Sequence, residues 1–373
     1  MITVKGERSY SYSITRTERI FDIDNDALLS GGDTRPGARR FIMVDKSVYG
    51  LYGSQIECYF AERGVAANIR LVNAGDKHKS ETNYISVFRD LCQYDVKRRS
   101  EPIIAIGGGV VTDLAGFVAS TYRRGIPHLK VPTTLMGYID ASVGIKTGVN
   151  FGEFKNRMGS FEIPAGVILD KAFLRTLDKR NLVNGIGEII KLAVILDAGL
   201  FEDMERGGES LVLNKFQDEL GQVVLDKSIM GMVRELSPNL YETELQRKVD
   251  FGHTFSLVIE SESGYKIMHG EAVAIDILLS SYLSFQRGIL SIRDFERIVA
   301  LYKSLGIPMW SSHITPDLLW GGVSERVMHR DGKQSIPVPT TIGACDFIND
   351  LRPDEIHSAV EVLEREFGDE VAV

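Results

Sequence analysis

The chain has 373 residues, 44% hydrophobic and 25% charged, a length and balance that suit two domains, each with its own packed core. Its 43 basic and 51 acidic residues leave a net charge of −8, which argues against nucleic acid or an acidic membrane surface as partner. Three cysteines, Cys58, Cys92 and Cys345, lie far apart and never form a CxxC pair. That excludes a disulfide framework and a sulfur-ligated metal, and it points to a cytoplasmic protein.

The opening residues are polar, with no apolar stretch of the signal-peptide kind, and no later run reaches the roughly 18 apolar residues of a membrane helix. Residues 4–20 alternate like an edge hairpin. Arg40–Asp45, Asn68–Asn73 and Pro102–Ile106 are short apolar runs that read as buried strands, with helical stretches near Ser47–Gly64 and Ser80–Cys92 between them. Strands alternating with helices predict a Rossmann-like, mostly parallel sheet. After Leu177 helical periodicity dominates, over Asn181–Leu196, Leu211–Leu236, Tyr241–Ser263, Gly270–Gln286, Ile292–Leu305 and Pro353–Phe367. The expected organisation is an α/β domain of nucleotide-binding type over 1–177 and an all-α domain over 178–373.

Three stretches carry the chemistry. Asp140–Arg157 sets Gly144, Gly148, Asn150 and Gly152 among Lys146, Lys155, Asn156 and Arg157. Glycines let backbone N–H groups approach a ligand, and the cations make the stretch a basic loop fit to seat a small phosphorylated substrate. The strand Pro102–Ile106 runs into Gly107-Gly108-Gly109 and then a helical pattern, an arrangement that binds a pyrophosphate at a helix N-terminus. Asp45, ending an earlier strand, is placed to accept hydrogen bonds from a ribose. In the helical half, Glu242, Gln246, Asp250, His253, Leu257 and Glu260 fall at helical spacing and predict one polar face. Glu188 and Lys191 share a face of another helix, and His269 opens a third. One glutamate and two histidines from separate helices suit a zinc-like ion with open positions, whereas the HExxH spacing is absent.

The motifs GGGVVTDLAGFVA, VPTTL, IDASVGIKTGVN, KNRMG, GIGEIIK, DFGHTF and MHGEAVA, in this order, resemble the dehydroquinate synthase-like sugar phosphate cyclases over roughly residues 40 to 345. The resemblance implies a dehydroquinate synthase-like fold with an NAD-binding α/β domain, a helical metal domain using Zn2+ or Co2+, and a homodimer acting on a small sugar phosphate. It implies Glu188, His253 and His269 as metal ligands. It places Arg124, Lys146, Lys155 and Asn156 at the substrate phosphate, and Asp140 and Lys191 at substrate hydroxyls. Asp45, Asp76, Lys79, Gly108, Gly109, Asp113, Thr133, Thr134, Phe173 and Thr176 fall at NAD-contacting positions. Glu242 and Asp250 join Asp140, Lys146 and Lys191 as candidate catalytic groups, and Gln246 joins the substrate contacts.

Departures from the family pattern are informative. Dehydroquinate synthases grip a substrate carboxylate with a lysine and an arginine, and counting back from His253 those positions hold Met232 and Gln246. The usual Asn three residues before the first metal His is Asp250, a further His is Leu257, and the DKK segment reads RDGKQSIPVP. Arg247, beside Gln246, would lie about 100° round a helix from it. These changes suit a substrate without a carboxylate. They make the chain most like the branch that cyclises sedoheptulose 7-phosphate, to 2-epi-5-epi-valiolone or 2-epi-valiolone, with release of phosphate. The rival expectations are a dehydroquinate synthase, a metal-dependent alcohol dehydrogenase of the same two-domain plan, and a sugar-phosphate sensor built on a dead cyclase.

Overall fold

The computed structural model describes residues 1–368 except 8, 36 and 153, and the backbone alone of residue 329. The chain separates into two compact units, one of Met1–Thr133 with Ala141–Ala172, the other of Thr134–Asp140 with Phe173 and the residues after it. The change of texture at Leu177 thus lies just inside the second unit.

The first unit is built on a six-stranded sheet of order β1-β8-β5-β4-β2-β3, paired in parallel throughout. Its strands are β1 (Ile14–Arg16), β2 (Arg39–Asp45), β3 (Ala66–Val72), β4 (Ile103–Gly107), β5 (His128–Pro132) and β8 (Gly166–Leu169). Helices α1 (Lys46–Glu62), α2 (Glu81–Tyr94) and α3 (Gly109–Thr121) connect them. Because helices cover the sheet, β2 and β4 read as unbroken apolar runs; Phe41 and Met43 pack with Ile103, Ala105 and Leu114 in one core cluster. The chain leaves β2 toward β3 on one side, and β4 lies on the other. The carboxyl ends of β2 and β4 therefore flank the topological switch point, where open α/β sheets bind ligands. Among the described residues of 4–13 no hairpin forms, since their polar alternation offers no apolar face to bury, and Ile14–Arg16 joins the sheet in parallel with β8 at the edge. Nor is Asp140–Arg157 a loop. A π-helical turn over Gly137–Ala141 leads into an antiparallel hairpin of β6 (Lys146–Phe151) and β7 (Phe154–Phe161).

The second unit is mostly helical: α4 (Lys179–Ile195), α5 (Ala198–Gly207), α6 (Glu209–Leu213), α7 (Glu219–Leu236), α8 (Ser256–Glu262), α9 (His269–Gln286), α10 (Ile292–Leu305), α11 (Pro316–His329) and α12 (Pro353–Phe367). It also carries a two-stranded antiparallel sheet of β9 (Ile336–Thr341) and β10 (Ala344–Ile348). Helix α9 is buried almost all round, which is why its sequence lacks an amphipathic stripe. It meets α4 so closely that a Cβ on Gly187 would stand 2.2 Å from the Gly270 carbonyl oxygen. The continuous helix expected over Tyr241–Ser263 does not form. Glu242 and Gly252 take φ of 53° and 76°, only a 3-10 turn at Lys248–Asp250 intervenes, and helix resumes at Ser256. Gly252 permits this: a Cβ there would lie 2.9 Å from Val273 Cγ1, and its left-handed φ ends any helix. Among the described residues, no helix is long and apolar enough to cross a membrane.

Candidate active site

Three elements of the second unit converge. Glu188 projects from the buried middle of α4, whose start is fixed by Asp178 accepting from the Asn181 N–H. His269 is the first residue of α9, and His253 follows the Gly252 turn. One ligand atom from each lies within 4.8 Å of the others. His269 Nε2 stands 3.3 Å and His253 Nε2 3.5 Å from Glu188 Oε1. Two ligand atoms each about 2.0–2.1 Å from a tetrahedral ion are separated by about 3.4 Å, so this spacing fits a zinc-like cation. The outer contacts set the tautomers. His269 Nδ1 donates to Glu260 Oε1 at 2.9 Å and His253 Nδ1 to the Phe251 carbonyl at 3.1 Å, which turns both Nε2 atoms toward Glu188, where they could hold a cation. Glu188 Oε1 is buried and receives no well-formed hydrogen bond, while Oε2 pairs with Lys191.

The charges of the cluster call for a cation. Burial alone would depress the His269 pKa, but the Glu260 and Glu188 carboxylates outweigh it and lift the imidazole to about 10. His253, disfavoured as a cation first by burial and then by Lys191 and His269, is pushed down to about 3. Glu188 stays ionised against its burial because Lys191 and the two imidazoles hold its pKa well below the usual range. A divalent ion held there would supply the positive charge that His269 otherwise carries as a proton. Lys191, itself buried, keeps its proton through Glu188 and then Asp140, whose Oδ1 lies 3.8 Å away.

The polar face expected over 242–260 is replaced by an ion cluster. Gln246 is exposed, and Arg247 turns inward. Arg247 pairs with Glu242 and, at 2.5 Å, with Asp250 Oδ1; Arg330 pairs with Asp250 Oδ2, and Arg326 lies 3.6 Å from it. Gln246 is thus no inward contact, because without a continuous helix the neighbouring residue takes the buried side. Asp250 is 4% exposed; its burial opposes ionisation, but the three arginines hold its pKa below the usual value. Met232 is buried in α7 and Leu257 is exposed.

In the first unit, Gly108 caps α3 and Gly109 begins it, beside the Thr133 N–H that donates to the Gly107 carbonyl at 3.0 Å. Asp45 Oδ1 caps α1 by accepting from the Ser47 and Val48 N–H groups. Buried Lys79 ties two expected groups together, donating to Asp113 Oδ2 at 2.6 Å and to Asn156 Oδ1 at 2.7 Å. Lys155 lies 3.7 Å from Asp76, which also accepts from Asn150. Lys146 begins β6 with its side chain exposed, and Arg124 is exposed at φ 61°. In the second unit, Thr134 Oγ1 accepts from the Gly137 N–H, and Thr176 Oγ1 donates to the carbonyl of buried Phe173.

Comparison with known proteins places this geometry. The model of the 3-dehydroquinate synthase N-terminal region matches residues 69–184, and that of the C-terminal region matches residues 185–333. The chain belongs to the 3-dehydroquinate synthase family. Within this family it is 41% identical to a 2-epi-5-epi-valiolone synthase of Streptomyces albus, over 98% of this chain and 91% of that one. ValA, the 2-epi-5-epi-valiolone synthase of Streptomyces hygroscopicus subsp. jinggangensis 5008 solved with NAD+ and Zn2+ bound, superposes with a TM-score of 0.94 at 39% identity, covering 98% of this chain and 100% of that one. A 2-deoxy-scyllo-inosose synthase solved with carbaglucose-6-phosphate, NAD+ and Co2+ shares the fold, with a TM-score of 0.78 at 20% identity over 95% and 96% of the two chains.

Glu260, Arg326 and Arg330 make contacts that their positions in the sequence do not signal. The i, i+4 spacing of Arg326 and Arg330 was visible, but their common partner Asp250 is nearly eighty residues away in sequence and only folding joins them. Glu260 sat on the expected polar face, whereas its partner is His269 across a turn.

Proposed function

We propose that the chain is a sugar phosphate cyclase, a lyase in outcome, that converts sedoheptulose 7-phosphate into 2-epi-5-epi-valiolone with release of phosphate. Its near-full-length likeness to ValA carries this reading, and the Glu188–His253–His269 cluster supports it independently. By the family resemblance the enzyme works as a cytoplasmic homodimer.

A metal ion held by Glu188, His253 and His269 would polarise substrate oxygens, and NAD at the Gly108–Gly109 turn would take up a hydride and give it back. The remaining work falls to the chain. Lys191, buried and protonated, donates to a substrate oxygen, and Asp140 accepts from a hydroxyl. Lys146, Lys155, Asn156 and Arg124 orient the phosphate so that it departs from the carbon β to a transient carbonyl, one of its own oxygens taking the proton. Orientation of that kind contributes several kcal/mol. Lys79 holds Asn156 and Asp113 in fixed relation, which couples phosphate placement to the cofactor helix α3. Arg247 and Arg330 are already paired with Asp250 and Glu242, so a substrate carboxylate would have to compete with internal ones, in keeping with a neutral sugar chain.

Purified enzyme given NAD+ and Zn2+ should release phosphate from sedoheptulose 7-phosphate and yield 2-epi-5-epi-valiolone by NMR, without net NADH. Preference for the carboxylated dehydroquinate precursor, or steady accumulation of NADH, would refute the assignment.

A further inference from the structure

Helix α9 carries a carboxylate in its apolar interior. Asp276 is 0% exposed and lies two turns after His269, on the same face of the helix. A carboxylate is buried this deeply only when it is well partnered. Oδ2 of Asp276 accepts from the backbone N–H of Phe255 at 2.5 Å and of Ser256 at 3.0 Å, and Oδ1 accepts from Ser280 Oγ at 2.9 Å. Those two amides stand at the start of α8, where Phe255 is the N-cap and Ser256 the first residue, two and three residues after His253. On the other side of the histidine, its carbonyl accepts from Arg326 Nη1 at 3.5 Å. Between Phe251 and Phe255 there is neither helix nor strand, so no regular ladder fixes the backbone from which the imidazole projects.

We propose that Asp276 is a positioning residue for the metal site, holding through the Phe255 and Ser256 amides the backbone that carries His253. Helix α9 then supplies one ligand, His269, from its first residue and steadies a second from its interior. The inference rests on Glu188, His253 and His269 being metal ligands. Groups hydrogen-bonded directly to a metal ligand change metal affinity by roughly 10–100-fold, and Asp276, which acts through the neighbouring backbone, belongs at the lower end of that range.

The test is zinc affinity of the full chain, measured by competition with a chromophoric chelator, with NAD+ affinity followed alongside. Asp276→Leu keeps the bulk and leaves the Phe255 and Ser256 N–H groups without an acceptor. It should weaken zinc binding at least tenfold while NAD+ binding stays within twofold of wild type. Leu283→Ala, a buried apolar truncation further along α9, lowers stability without touching the His253 backbone and should leave zinc affinity within threefold. Asp276→Leu that holds zinc as tightly as wild type, or no more weakly than Leu283→Ala, overturns the proposal. If Asp276→Leu does not fold, Ser280→Ala removes one of the three partners of the same carboxylate. It must weaken zinc binding at least threefold, and an unchanged affinity overturns the proposal. Wild-type protein that binds no zinc would instead overturn the ligand assignment itself, and this inference with it.

Discussion

Lowering the pH from 7.5 to 5.0 should remove about 2 kcal/mol of stability through a single side chain, His128. It stands in β5, 0% exposed, with neither ring nitrogen hydrogen-bonded. The Gly116 side of α3 and Thr147 of β6 close over it: a Cβ on Gly116 would lie 3.3 Å from its Nε2 and 2.3 Å from Thr147 Cγ2. Burial first, then neighbouring Lys130, disfavours the imidazolium and pushes the pKa from 6.5 to about 3. A depressed folded-state pKa means that the unfolded chain binds the proton first. The stabilisation is complete above about pH 6.5 and is lost as the pH falls toward 3. At pH 5.0 the unfolded state gains 2.303RT times about 1.5 units, or about 2 kcal/mol, whereas at pH 7.5 it gains almost nothing. His128→Leu, of similar volume, removes the titration and two orphaned nitrogens. Urea unfolding followed by far-UV circular dichroism, with EDTA present, gives the free energy of both proteins at both pH values. The wild-type value should fall relative to that of the variant by about 2 kcal/mol on acidification. The same pH dependence in both proteins would refute the reasoning.

His269→Ala should lose bound metal and phosphate-releasing activity together, and full metal content by elemental analysis would remove His269 from the ligand set. Gly187→Ala places a Cβ 2.2 Å from the Gly270 carbonyl oxygen. The overpacking, about 1–3 kcal/mol, should exceed the ~1 kcal/mol that alanine gains in a helix, so the melting temperature falls; an unchanged or higher one contradicts the close crossing. Lys79→Met breaks the bonds to Asp113 and Asn156. The NAD+ dissociation constant and the KM for the sugar phosphate should each rise about tenfold, the scale of one charge-assisted hydrogen bond, and a rise in only one of them would disprove the link between the two sites.

What the sequence made legible follows from local physics. β2 and β4 were readable because strands covered on both faces are apolar without interruption, and the GGG turn because glycine between a strand and a helix has few other uses. β5 was not, since His128 and Lys130 interrupt the apolar run. Lys130 is tolerated inside because its ammonium donates to the Gly144 carbonyl at 2.9 Å, a partner fixed only by the fold. The hairpin β6–β7 does not read as strand because β7 is largely exposed and each strand is interrupted by a glycine and by lysine or arginine. In the site, the three residues that fold into one cluster, Glu188, His253 and His269, were legible and their setting was not. The helical spacing of Glu242, Gln246, Asp250 and His253 is an accident of counting, broken by two left-handed residues that periodicity does not weigh.

That accident bears on selectivity. With a continuous helix, Gln246 would face inward and the case against a carboxylated substrate would rest on a missing arginine. The folded chain instead keeps an arginine on the buried side, Arg247, and neutralises it from within. Asp250 engages Arg247 through one oxygen and Arg330 through the other, and Glu242 takes the second terminal nitrogen of Arg247. A substrate carboxylate entering here would have to displace an internal one that is already desolvated and held in place, gaining little over what it breaks. Selectivity on this reading comes from occupation of the arginines rather than their absence. Neutralising Asp250 alone would therefore do more to admit a carboxylated substrate than introducing arginine at the exposed position 246.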